Sequence, residues 1–144
     1  MRQGELAAIP NAGRAADPDV PTAALDERLG DVRERVREAG YDTCVAVNDS
    51  RIVLGLLRSG QLEGEADATI EDAMRPGPST FRPHVGVSEL AELMEDHDLP
   101  NVLITTGEGV LVGLLTIEHA EDVVEEIHRR IQELHREHER DHEH

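Results

Sequence analysis

The chain has 144 residues, of which 38% are hydrophobic and 1% aromatic, and its 14 basic against 31 acidic side chains give a formal charge of −17 at pH 7. Every basic side chain is an arginine, so neither Schiff-base lysine chemistry nor the phosphate-gripping lysine of a P-loop is available, and the acidic field disfavours nucleic acid and anionic membranes as partners. A chain of this length buries roughly 68–70% of its unfolded surface as one domain or two intimately packed halves, and with Tyr41 and Phe81 the only aromatics the core must be aliphatic.

Residues 1–19 carry Gly4, Pro10, Gly13 and Pro18 among alanines without a sustained period. They read as a mobile arm with a short anchor at Leu6-Ala7-Ala8. The amino terminus lacks a cationic segment followed by an apolar one, and no apolar stretch approaches the ~20 residues that span a bilayer. A cytoplasmic location is therefore expected.

From residue 20 the pattern sharpens. Leu29, Val32 and Val36 recur at helical spacing, and the aliphatic runs Cys44–Val47 and Ile52–Leu57 flank Asn48-Asp49-Ser50, which reads as strand, tight turn, strand. Cys44, the single cysteine, sits inside an apolar run and reads as a buried, inert thiol. A polar connector over residues 63–77 contains Thr69-Ile70-Glu71-Asp72, a capping box opening a short helix that Pro76-Gly77-Pro78 ends. Val87, Leu90, Leu93 and Met94 mark a second amphipathic helix, followed by Val102–Ile104 and Val110–Leu115 around Thr106–Gly109. These runs do not alternate with polar residues, so the sheet is expected to be covered on both faces. After Thr116, the residues Ile117, Ala120, Val124, Ile127, Ile131 and Leu134 keep a 3-4 alternation along one long helix. That stripe either packs on its own domain or pairs with a second copy.

Beyond Leu134 the stripe fails and the chain becomes rich in His, Glu and Arg. His135, His138 and His142 share one helical face, so the alternatives are adventitious capture of Zn2+ or Ni2+ and a solvated, pH-responsive tail; no metal site is assigned. His84, His97 and His119 are scattered, and no nucleophile–base pair falls within the structured part, so an enzyme is not expected.

The informative feature is a repeat. Residues 20–62 lie over 78–120 at a constant offset of 58 without a gap, with Thr22/Thr80, Glu34/Glu92, Gly55/Gly113, Leu56/Leu114 and Leu57/Leu115 identical and many other pairs apolar in both. The expected fold is α/β (α+β), two pseudo-symmetric βαββα repeats over 20–62 and 78–124, with residues 125–144 as an extended helix and tail.

Ile70-Glu71-Asp72-Ala73-Met74 before a turn, then Thr80, a helix ending at Met94, and Val110-Leu111-Val112-Gly113-Leu114-Leu115-Thr116 resemble a CBS domain. With the repeat, most of residues 20–124 resembles a tandem CBS-domain pair of the cystathionine beta-synthase type. The resemblance implies two halves packed about a pseudo-two-fold axis, two clefts that in many relatives hold adenosine-containing ligands, homodimerisation, and a regulatory role without catalysis. In such clefts a Gly-apolar-apolar-Ser/Thr-x-x-Asp segment offers its hydroxyl and free helix N–H groups to phosphate and its carboxylate to ribose. Here Thr116 keeps the hydroxyl while His119 replaces the carboxylate, and Arg58 and Gln61 stand at the matching positions of the first repeat.

The candidate ligand residues are Arg58, Gln61, Thr80, Phe81, Gly113, Thr116 and His119. Thr116 reads equally as a simple helix N-cap, Arg58 as a solvated surface side chain, and Phe81 as core. The implied ligands are AMP, ADP, ATP or S-adenosylmethionine, regulatory rather than required, with a separate protein partner receiving the signal. The alternative is a ligand-free dimerisation or protein-interaction module with degenerate sites.

Overall fold

A computed structural model describes residues 11–142, with side chains through Arg136. It begins with a one-turn helix, α1 (Ala12–Ala15), whose cap Asn11 accepts a hydrogen bond from the Arg14 N–H at 3.0 Å. The first half follows as β1 (Thr22–Ala23), α2 (Leu29–Glu38), β2 (Cys44–Val47), β3 (Val53–Leu57) and the one-turn α3 (Ser59–Leu62). A connector carries α4 (Ile70–Ala73), capped as the sequence indicates by Thr69, and β4 (Arg75–Pro76). The second half repeats the order as β5 (Thr80–Phe81), α5 (Val87–Asp96), β6 (Asn101–Thr105), β7 (Leu111–Thr116) and α6 (Ile117–His142).

In each half the first strand runs parallel to the second and the second antiparallel to the third, while β4 adds a fourth strand antiparallel to β3. The expected βαββα repeat is the fold, and α2 and α5 begin and end at the same offset of 58.

The aliphatic strands alternate between two different cores. Cys44, Ala46 and Leu57 pack under Leu29, Val32 and Val36 of α2, as Val102, Ile104 and Leu115 pack under Val87, Leu90 and Met94 of α5. The residues between them, Val45, Leu56, Leu103 and Leu114, point the other way and join Val20 and Leu111 in a third cluster where the two sheets meet. Both faces of each sheet are therefore buried, which explains why the runs are apolar without alternation. The same burial pushes the Cys44 thiol up to about 12, consistent with an inert side chain.

The internal two-fold extends to individual hydrogen bonds. Val53 N–H donates to the Gly109 carbonyl and Leu111 N–H to the Arg51 carbonyl, each at 2.9 Å, so the bridge between Ile52 and Val110 lies on the axis.

Residues 11–17 correct the reading of an arm up to residue 19. Ala12 N–H donates to the Val85 carbonyl at 2.7 Å, Gly13 N–H to the Pro83 carbonyl at 2.9 Å, and Asp17 exchanges two hydrogen bonds with Leu114 at 2.8 and 3.0 Å. Ala12, Ala15 and Ala16 are buried in the second core. α4 and β4 make the equivalent contacts to the first half, Ile70 N–H to the Glu27 carbonyl at 3.0 Å and Glu71 N–H to the Leu25 carbonyl at 3.1 Å. Each half is thus completed by the segment that precedes the other. One helical turn is too short to show a period, but at the same offset Asn11 and Thr69 are both cap formers, and Ala15/Ala73 and Pro18/Pro76 are identical. The Leu6-Ala7-Ala8 anchor lies outside the described residues.

Candidate functional site

Thr116 ends β7, and its Oγ1 accepts a hydrogen bond from the His119 N–H at 3.2 Å, so it caps the long helix that starts beside it. Across from it, the chain leaves α2 through Gly40, whose φ of 81° turns it out and presents Tyr41 and Asp42. The third wall is α1 and its exit strand. Together these enclose a cavity of about 710 Å3 that Arg14, Asp17, Tyr41, Asp42, Thr116 and His119 line with polar groups and Ala15, Ala16 and Leu114 with apolar ones.

Asp17 organises this cleft. Its Oδ2 accepts a hydrogen bond from the Tyr41 hydroxyl at 2.6 Å and its Oδ1 one from the Asp19 N–H at 2.9 Å. The bond to Asp17, with burial and the nearby carboxylate charge, pushes the Tyr41 hydroxyl up to about 12. A raised pKa means that the tie stabilises the fold fully below the unfolded value of about 10 and is lost as pH rises towards the folded value. Tyr41 is the only tyrosine and the chain has no tryptophan, so tyrosinate absorbance reports this residue alone. Its midpoint is expected at about 12 in the wild type and lower, towards the ordinary tyrosine value, in Asp17→Asn; equal midpoints would remove Asp17 as the cause.

Gly113 lies beneath the chain leaving α1. A Cβ there would stand 2.6 Å from the Asp17 carbonyl oxygen and 2.8 Å from its carbon, so the absence of a side chain lets one cleft wall cross β7.

The matching residues of the first half are arranged differently. Arg58 reaches across to the second half, donating from Nε to Asn101 Oδ1 at 3.0 Å and from Nη2 to the Asn101 carbonyl at 3.2 Å. Gln61 turns back to accept the Arg58 N–H at 2.9 Å. Burial, and then the neighbouring Arg75, lower the Arg58 pKa from its ordinary value.

Thr80 pairs with Leu103 and lines a separate cavity of about 380 Å3 with Arg82 and Thr105. Arg82 is spent on the carbonyls of Thr105 and Thr106 and on the Thr105 hydroxyl. Phe81 is half-buried against the second core. Of the seven candidates, the structure brings Thr116 and His119 together in the 710 Å3 cleft, ties Arg58 to Gln61 at the two-fold-related place, and sets Thr80 and Phe81 apart from both.

Arg14, Asp17, Tyr41 and Asp42 were missed from sequence. They carry no motif and come together only because α1 docks on the opposite half. Among the described residues no three His, Cys, Asp or Glu side chains are placed to hold a metal ion, and no helix is long and apolar enough to cross a membrane. The side chains of His138 and His142 lie outside the described residues.

With this geometry in hand, the likenesses to known proteins are specific. Residues 70–126 match the CBS domain family. The cytosolic domain of the Mg2+ channel MgtE, solved in complex with ATP, superposes with a TM-score of 0.72 at 22% identity over 79% of this chain and 48% of that one. CBSX2 in complex with AMP gives 0.73 at 16% identity over 82% and 98%. The CBS domains of a transcriptional regulator from Streptococcus pneumoniae give 0.71 at 14% over 79% and 98%. The chain spans about half the length of the magnesium-transport structures and nearly all of the other two. No curated protein matches it in sequence. The chain has the fold of the CBS-domain pairs, and over residues 70–126 it also matches the CBS domain family in sequence.

Proposed function

We propose that the chain is a non-catalytic regulatory module that takes an adenosine-containing nucleotide in the cleft of Thr116 and His119 and passes its occupancy to a partner protein. The observation that carries this reading is the 710 Å3 cavity built jointly by both halves and α1, within the usual range of small-molecule sites. Ala15, Ala16 and Leu114 suit the face of a base. The positive end of the α6 dipole, with Arg14, suits a phosphate, and Asp17 supplies a carboxylate in the cleft where His119 replaces the family's own. Two carboxylates against one arginine favour AMP over the more anionic ATP. The fold shared with CBSX2 in complex with AMP and MgtE in complex with ATP supports the ligand class.

AMP, ADP, ATP and S-adenosylmethionine at millimolar concentration test the reading in a thermal melt. A ligand at a hundredfold excess over its Kd adds about 2.7 kcal/mol, roughly 5–10 °C in Tm for a chain of this size. Thr116→Ala should reduce that shift. A panel that shifts nothing favours the second reading, a ligand-free homodimerisation module, which the exposed apolar end of α6 supports: Ile131 is 55% and Leu134 60% exposed.

A further inference from the structure

The two-fold lets the clefts be compared residue by residue, and they are not alike. Arg58 and Thr116 occupy equivalent positions at the offset of 58, as do Asn101 and Thr43. In the second half, Asn101 and Thr116 are paired across β6 and β7. In one cleft Thr116 is too short to cross to the other half, spends its hydroxyl on capping α6, and leaves the 710 Å3 cavity open. At the place related to it by the two-fold, the Arg58 side chain reaches the second half and binds Asn101 through both its side-chain and main-chain oxygens. Asn101 is 8% exposed, so its two acceptors are satisfied from within the fold.

The geometry points to a built-in asymmetry: Arg58 is an internal latch on the second cleft, and the chain takes its ligand in the first cleft alone. A ligand entering the second cleft must break two guanidinium hydrogen bonds and leave the Asn101 oxygens to be re-satisfied, a cost the first cleft does not impose. The Arg58 head has no carboxylate partner among its hydrogen bonds. Arg75 pairs with Leu56, two residues before Arg58 on the same face of the sheet, so a second guanidinium flanks the latch. Among the described residues the latch is therefore held by its hydrogen bonds to Asn101, not by an ion pair.

This inference rests on the proposed nucleotide reading for its stoichiometry but not for the latch itself, and two measurements on the full chain separate them. Titration calorimetry with AMP is expected to give one site per wild-type chain and two in Arg58→Thr, which copies the residue present at Thr116. Two sites in the wild type, or one in a folded Arg58→Thr, overturns the asymmetry. Independently, the Arg58 Nε–H in the wild-type protein is expected to exchange with solvent far more slowly than a free guanidinium by 15N NMR, with and without AMP. Free exchange overturns the latch whether or not AMP binds. If AMP binds neither protein while the Nε–H stays protected, the nucleotide reading falls and the latch stands.

Discussion

Replacing Gly113 by alanine is expected to destabilise the protein by about 2–3 kcal/mol, in the upper range for overpacking a buried site. The added Cβ meets backbone, the Asp17 carbonyl at 2.6 Å and the Ala16 Cβ at 2.9 Å, and neither can move unless the exit strand of α1 lifts off β7. Gly55, its two-fold mate, is the internal control. There the nearest atoms are the Sδ and Cγ of Met74, the flexible end of a thioether that can swing aside, although the Arg75 carbonyl at 3.1 Å is also close. Gly55→Ala should therefore cost less than ~1.5 kcal/mol.

Urea unfolding measures both variants. Hydrogen exchange at the amides of Ala12 and Gly13 locates the damage, because these bond to Val85 and Pro83 only while α1 is docked. Lifting that segment also withdraws Asp17 from Tyr41, so the tyrosine midpoint should fall from about 12 towards its ordinary value in Gly113→Ala alone. Equal costs at the two glycines would show that the backbone crossing is not the constraint.

Glutamates at Ile131 and Leu134 together are expected to convert a dimer into a monomer in sedimentation velocity without loss of helix. The stripe along α6 divides in two. Ala120 is fully buried, and Ile117 and Val124 pack on the second core, whereas Ile131 and Leu134 stand out in solvent. Their 3-4 spacing continues the stripe of Val124 and Ile127, and the β-branched Ile131 at one core position with Leu134 at the other suits two strands. Charge does not oppose the pairing. Although the chain carries −17 overall, Glu126 is compensated within this segment by Arg129 at 3.3 Å and Arg130 at 3.2 Å. Exposed i,i+3 and i,i+4 pairs of this kind add only a few tenths of a kcal/mol to the helix, so the apolar face decides. A dimer that survives both substitutions would place the interface on the paired folds, and a monomeric wild type would remove this role for the stripe.

Much of the architecture was readable from local pattern. The gapless offset of 58, the helical spacing of Leu29, Val32 and Val36 with its copy at Val87, Leu90 and Met94, and the paired aliphatic runs identified both repeats before any coordinates, because burial of one helix face and both sheet faces leaves a periodic trace. The Thr116 cap was equally visible, since a hydroxyl before a helical stripe satisfies N–H groups a few residues away. All of these depend on neighbours in sequence.

The cleft was not legible in that way. Arg14 and Asp17 reach it because α1 crosses to the half it does not precede, and Tyr41 enters it through one hydrogen bond spanning 24 positions. The difference between Arg58 and Thr116 was apparent in the repeat, but whether arginine would face solvent, meet a phosphate or bind Asn101 depended on what the opposite half placed within reach. The sequence by itself determined the two repeats, their cores and their caps, whose free energy comes from contacts a few residues apart or from a repeated apolar period. Only the tertiary structure decided which cleft is open, because that depends on single polar contacts between segments with no shared period to announce them.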